Sequence, residues 1–336
     1  MEDINKDCNK DHIFYNMDSQ NNEPILSETI FKNICKYSHQ EYQYLHLLKN
    51  ILDNGVLENN IHNDTKTYNV FGKTIEFSLK NNTIPILTTY KINWKNCLNE
   101  LLWIVRGETN NTILKKQGVN NLNIYGSREN LDSKHLNLYP VDILGPIDGY
   151  QWRYFNANYN CLNGLRLFNN NEPDIFSKRK DVVGIDQLQQ IINILKDPVL
   201  RNTSQCLILT AWNPIQLDKM ALFPRNILCQ FNIHNENQLS CSIYTQSCNA
   251  LDDISLTITT YGFLTHLIAK HCGLEAYKCI FFMGNCYMDD KNIVTANQII
   301  KREPIIFPTI LIKQIRVNIN DYLLADFEIN NYIHHE

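Results

Sequence analysis

Apolar residues along this chain change between helical and strand-like spacing. Apolar side chains that recur every three or four positions predict helices at 41–54, 93–106, 187–196, 257–272 and 292–301. Alternating or short apolar runs predict strands at 206–212, 227–233, 239–244, 276–282 and 310–317. Residues 67–80 also alternate, and they predict a strand pair that turns at Gly72-Lys73. Strands mixed with long helices, without an internal repeat, indicate one α/β or α+β domain.

Two segments lack this periodicity. Residues 1–36 are rich in Asn, Asp and Lys, so we expect a mobile N-terminal extension. Residues 156–182 contain an asparagine run and the basic triplet at 178–180, which predict a polar insertion loop. The folded domain is therefore expected to cover 37–336.

Composition and charge are ordinary for a globular protein. Of 336 residues, 44% are hydrophobic and 20% are charged. The net charge of −4 provides no general attraction to nucleic acid or to an anionic membrane, so neither is an expected partner. No apolar run approaches the roughly 18 residues of a membrane-spanning helix. The polar, acidic start of the chain resembles neither a secretory signal nor a mitochondrial presequence, and we expect a cytoplasmic protein.

Eleven cysteines raise the question of a metal site or disulfides. No Cys-x-x-Cys pair occurs, and the seven-residue spacing of Cys272, Cys279 and Cys286 is not that of a zinc site. An odd count without a signal peptide indicates reduced and mostly buried thiols. We therefore expect no metal.

Several longer motifs follow one another along the chain. They lie at 99–110, 126–129, 145–146, 151–153, 186–188, 211–214, 219–222 and 302–304. Together they resemble the thymidylate synthase family over almost all of residues 41–336, most closely the synthase half of the protozoan bifunctional reductase–synthase. The resemblance implies the thymidylate synthase fold, a twisted mixed β-sheet with flanking helices. It also implies a dimer formed through one sheet face, for which strands 206–212, 227–233 and 239–244 are the candidates.

The family's reaction sets what the chain would need for activity. Family members convert dUMP and 5,10-methylenetetrahydrofolate to dTMP and dihydrofolate. A cysteine thiolate attacks C6 of the uracil, which makes C5 a nucleophilic carbon. A glutamate and an ordered water handle protons, and arginines from two subunits bind the nucleotide phosphate.

The position of the family's nucleophile is changed in this chain. The family has a Pro-Cys-His step after Met-Ala-Leu, whereas residues 220–224 here are followed by Arg225 and Asn226. A guanidinium group cannot act as a nucleophile at physiological pH. Glu100 remains at the position of the proton-handling glutamate, and we expect Arg225 to fill the former cysteine pocket and pair with Glu100 and one introduced aspartate.

The resemblance also locates remnants of the two binding sites. The four arginines of the phosphate site correspond to His62, Gln205, Cys206 and Gln246, while Ser247 remains. Other substrate-site positions are Asn213, Asn249, Thr257, Tyr287 and Asp289. The folate-site positions are Leu122 and Asp148, and the glycine-rich turn of the family becomes 252–255. Each lost charge-assisted contact is worth about 1.5–3 kcal/mol, so useful dUMP affinity should be abolished.

These replacements favour a catalytically inactive pseudoenzyme that acts as a scaffold or a regulatory dimer partner. No cofactor is then expected, and the partner is a second copy or an active thymidylate synthase. Two alternatives stay open. One is a functional synthase whose chemistry uses Cys206 or Cys229, although burial in the core is the more ordinary role for Cys229. The other is a binding module for a different small molecule, such as a cation, in the acidic cleft.

Overall fold

The computed structural model describes residues 39–60, 65–160 and 184–336, and the backbone of two short strands before them. The strands are β1 (Asn16–Met17), β2 (Pro24–Ile25), β3 (Val56–Asn60), β4 (Thr65–Ser78), β5 (Ile208–Thr210), β6 (Asn226–His234), β7 (Gln238–Asn249), β8 (Glu275–Asp289), β9 (Thr309–Ile312) and β10 (Phe327–Asn330). The α-helices are α1 (Tyr42–Asn54), α2 (Trp94–Val105), α3 (Thr112–Lys116), α4 (Arg128–Ser133), α5 (Asp148–Tyr154), α6 (Gln187–Lys196), α7 (Leu200–Thr203), α8 (Ile254–His271) and α9 (Ile293–Ile299). Residues 1–36, apart from β1 and β2, and residues 161–182 of the expected loop lie outside this description.

A six-stranded sheet organises the domain, in the order β3-β4-β8-β7-β6-β5. Strands β7 and β8 run parallel, and the other neighbours in this sheet are antiparallel. Strands β9 and β10 form a separate antiparallel pair. A mixed sheet with helices confirms the predicted α/β class and is consistent with the thymidylate synthase fold.

The two faces of the sheet differ in burial. Leu209, Cys229, Ile243, Phe281 and Ile75 occupy one register row and are all buried. Because side chains alternate along a strand, the neighbouring positions point to the other face. That face carries the half-exposed side chains of Ile208, Tyr244 and Phe282.

Helix α8 is the central helix of the core. Most of its side chains are buried around its whole circumference, and it packs against α2, β7 and β8. A helix that is apolar on every side is typical of the core of a large domain. Residues of the first two turns of α8 and of the start of β6 line the same cavity, which is described below.

The expected turn at Gly72-Lys73 is wrong. Residues 65–78 form the single strand β4, which pairs with β8 both before and after Gly72. Gly72 has a φ of 70°, in the left-handed region, and lies opposite Gly284. A Cβ added at Gly284 would approach the carbonyl oxygen of Gln246 to 2.7 Å. Glycine therefore allows the strand to bend in place, because the long partner strand β8 keeps the register on both sides.

Candidate functional site

A cavity of about 330 Å³ lies where α2, α5, the start of β6 and the first turns of α8 meet. It brings together six of the positions that the sequence resemblance marks. These are Glu100, Leu122, Asp148, Arg225, Asn226 and Thr257. The volume is within the range of small-molecule sites in proteins.

Arg225 is fixed in this cavity by its backbone and by its charge. The amide N–H of Gln246 donates to the Arg225 carbonyl oxygen at 2.8 Å. The next residue, Asn226, pairs with Thr245 and accepts a hydrogen bond from its hydroxyl at 2.7 Å. The guanidinium group forms an ion pair with Asp253, whose side chain is only 17% exposed while that of Arg225 is 41% exposed.

Asp253, the residue immediately before α8, makes a second contact besides this ion pair. Its Oδ2 accepts a hydrogen bond from the backbone N–H of Asn249 at 2.9 Å. The expected pairing of Arg225 with an introduced aspartate is therefore confirmed. The expected pairing with Glu100 is wrong, because no ion pair joins the two among the described residues and Glu100 accepts from the Asn121 amide at 3.1 Å instead. Asp253 forms the ion pair with the Arg225 guanidinium, while Glu100 lines the same cavity from α2.

Two carboxyl groups in the cavity have shifted pKa values. Burial raises the pKa of Glu100, and the Asn121 hydrogen bond and the Arg225 charge oppose this rise. Burial also raises the pKa of Asp148 to about 6, opposed by Arg225 and reinforced by Glu100. No side chain in the described part of the chain donates a hydrogen bond to Asp148. Carboxyl groups of this kind are destabilised as anions until a positive partner approaches.

The thiol at the cavity is not activated. Cys97 precedes Glu100 by three residues on α2, a spacing that places both on one helical face. Burial, with Glu100 adding to it, raises the pKa of Cys97 to about 12. Cys206 is exposed, Cys229 is buried, and neither is part of the cavity wall. The motifs do not indicate Cys97 or Asn121, although the helical spacing from Glu100 could have identified Cys97.

The remaining predicted positions lie elsewhere. Ser247 and Tyr287 line a second, more open pocket of about 300 Å³ with Glu58, Thr67 and neighbouring asparagines. Asn249 donates to Asp289 at 3.1 Å, so these two positions contact each other. Gln205, Cys206 and Gln246 are exposed, and His62 lies outside the described residues.

Asn213 has a structural environment away from the cavity. Its amide donates to Gln151 and Gln216 in a buried network.

Within the described residues, no group of three or more His, Cys, Asp or Glu side chains could hold a metal ion. None of the helices described is long and apolar enough to cross a membrane.

Comparison with known proteins gives a consistent result. The family model described as thymidylate synthase matches residues 42–336. The chain is 36% identical over 329 residues to a bifunctional dihydrofolate reductase-thymidylate synthase of Plasmodium berghei (strain Anka), which covers 98% of this chain and 52% of that protein. It is 33% identical over 321 residues to the bifunctional protein of Leishmania major, covering 94% and 58%. It is 35% identical over 304 residues to a probable thymidylate synthase of Schizosaccharomyces pombe, covering 87% and 46%. The chain thus spans about half the length of the curated relatives that it matches.

Proposed function

This chain belongs to the thymidylate synthase family, and from that premise we propose that it is a catalytically inactive member that acts as a scaffold or a regulatory dimer partner. The observation that carries this proposal is the state of Arg225. This residue occupies the position where the family resemblance requires the nucleophile, and its guanidinium is bound to Asp253 inside the cavity.

Thiol chemistry in the cavity supports the same conclusion. A nucleophilic cysteine must be available as a thiolate near neutral pH. Cys97 has a pKa of about 12, and it lies in an environment made more unfavourable for an anion by Glu100. Without a thiolate to attack the substrate, the retained Glu100 has no covalent intermediate on which to act.

Charge in the cavity also opposes a nucleotide phosphate. Four carboxyl groups line the cavity, from Glu100, Asp148, Asp252 and Asp253, against the single guanidinium of Arg225. A site with this balance repels a phosphate dianion instead of attracting it. We therefore expect the protein not to bind dUMP, and without substrate binding there is no turnover.

Dimer formation does not require the catalytic groups. The open sheet face carries Ile208, Tyr244 and Phe282, which are 44%, 40% and 41% exposed. Apolar and aromatic side chains on an uncovered sheet face are suited to packing against a second subunit. We propose that this face pairs with a second copy of the chain or with an active thymidylate synthase.

Calorimetric titration of the purified protein with dUMP tests the proposal, with an active thymidylate synthase as the control. We expect no binding heat at about 1 mM dUMP, a concentration that would detect even weak affinity. Micromolar binding followed by dTMP formation would establish the alternative, a functional synthase. Sedimentation of the protein alone and mixed with the active enzyme then separates a homodimer from a mixed dimer.

A further inference from the structure

The cavity at Arg225 is lined by two chemically different kinds of side chain. Carboxyl groups come from α2, from α5 and from the two residues before α8. Aromatic side chains from the same three helices lie among them, including Trp103, Trp152 and Tyr261, which are 1%, 3% and 5% exposed. A concave space with aromatic lining and a few polar groups is the usual form of a small-molecule site.

The carboxyl groups are only partly neutralised within the protein. Asp253 and Arg225 are occupied with each other. Glu100 has one neutral donor, the Asn121 amide. Asp148 receives no hydrogen bond from another side chain of the described chain, and it faces the same space. Two carboxyl groups therefore lack a positive partner, and a ligand could supply one.

The aromatic part of the lining indicates which kind of positive ligand would fit. The faces of Trp and Tyr rings attract cations, most strongly where water is excluded. A metal ion would instead require several ligating side chains at close range. Among the described residues, no group of three or more His, Cys, Asp or Glu side chains has that arrangement. Aromatic rings beside two carboxylates favour an organic cation.

We propose that this cavity binds a small organic cation of the amidinium, guanidinium or protonated amine class, with Asp148 and Glu100 as its counter-charges. Asn226 and Thr257 line the same space and provide hydrogen-bonding groups to orient such a ligand. The proposal goes beyond the proposed loss of catalysis, since it assigns the cavity a ligand of opposite charge to the nucleotide.

The raised pKa values of the two carboxyl groups agree with this assignment. Burial is the main cause for both Glu100 and Asp148, and Arg225 opposes the rise in each case. A bound cation would favour the ionised forms in the same way and lower both values. The groups that face Asp148 are Glu100, Arg225 and Tyr261.

A pair of probes that share a shape but differ in charge tests the proposal. Benzamidinium and neutral benzamide are titrated separately into the full-length protein, followed by calorimetry at about pH 7.5, where Asp148 is ionised. We expect benzamidinium to bind at least about tenfold more tightly than benzamide, because a charge-assisted contact contributes that much or more. Equal affinities, or no benzamidinium binding at about 1 mM, would overturn the proposal. This comparison needs no variant, so it stays decisive whatever the stability of a mutant.

A matched pair of variants then locates the binding. Asp148→Asn removes the charge in the cavity, and Asp218→Asn makes the same change at an exposed position that does not line it. Asp148→Asn should weaken benzamidinium binding by about tenfold or more, and Asp218→Asn should leave it unchanged. Equal affinity of the two variants would place the binding elsewhere and refute the assignment. The dUMP titration is a separate measurement, so failure of either proposal can be recognised by itself.

Discussion

Replacing Asp148 by Asn should make the protein more stable at neutral pH. The pKa of Asp148 is raised to about 6, mainly by burial, so the folded protein holds this proton more tightly than the unfolded chain does. For an acid with a raised folded-state pKa, ionisation disfavours the folded state. Stability is therefore lost as pH rises from about 4 to about 6, and the loss is complete above that range. An Asn side chain carries no charge and avoids this loss.

The size of the effect follows from the two pKa values. A rise from 3.8 to about 6 corresponds to at most about 3 kcal/mol at neutral pH. Asp148 is also the first residue of α5, where a negative charge favours the helix by about 0.3–1 kcal/mol. The net gain for Asp148→Asn is then about 2 kcal/mol. In a chain of 336 residues we expect the melting temperature to rise by roughly 3 °C.

Thermal unfolding of both proteins across pH provides the assay. The gain should be present at about pH 7.5 and should shrink as pH falls below 6, because the native Asp148 then becomes protonated. The groups that share its surroundings, Glu100 and Arg225, are unchanged in the variant. Asp218→Asn should shift the melting temperature by less than about 1 °C. A lower melting temperature for Asp148→Asn at neutral pH, or an equal gain at pH 4, would refute the reasoning.

Three further outcomes test other parts of the structure. In a double-mutant cycle, Arg225→Ala and Asp253→Ala should show a coupling energy of about 1 kcal/mol by urea unfolding, because the pair is partly exposed; additive effects would contradict the ion pair. Iodoacetamide should alkylate Cys206 before Cys97 in the native protein, since Cys206 is exposed and the pKa of Cys97 is about 12; the reverse order by mass spectrometry would reopen the search for a nucleophile. Glu41→Ala should lower the free energy of unfolding by about 3 kcal/mol, because the buried carboxylate accepts hydrogen bonds from the backbone N–H and hydroxyl groups of Thr88 and Thr89. A loss below about 1 kcal/mol in urea unfolding would mean that those donors find other acceptors.

The helices could be predicted well because their apolar spacing and caps are local. The predicted helix at 187–196 has the observed bounds, and the Asp186 side chain accepts the Gln189 N–H at its start. Strand lengths were harder to predict. Strand β7 continues to Asn249, beyond the expected end at Tyr244, through polar residues that do not show apolar alternation. The turn predicted at Gly72 is wrong because β8 pairs with β4 on both sides of this residue, and local sequence does not reveal that pairing.

The cleft could be predicted in its charge but not in its contacts. The resemblance predicts an acidic cleft that contains one arginine, and Asp148, Asp252 and Asp253 line the cavity with Arg225, whereas Asp289 does not. The choice of Asp253 over Glu100 as the partner of Arg225 depends on how α2 and α8 approach β6. That approach is set by tertiary packing of buried side chains far apart in the sequence, so spacing alone could not determine it.

The arrangement of charges separates a rebuilt cleft from a merely eroded one. Erosion of a binding site would leave the introduced Arg225 without a partner, at a cost of several kcal/mol if it were buried. Here Arg225 forms an ion pair with Asp253, so each of these two charges has a partner. Asp148 has no such partner among the described residues, and because burial raises its pKa, we expect its charge to oppose folding. Groups that reduce stability while facing a cavity are characteristic of functional sites. For this reason the proposed loss of catalysis and the proposed cationic ligand are compatible conclusions about the same space.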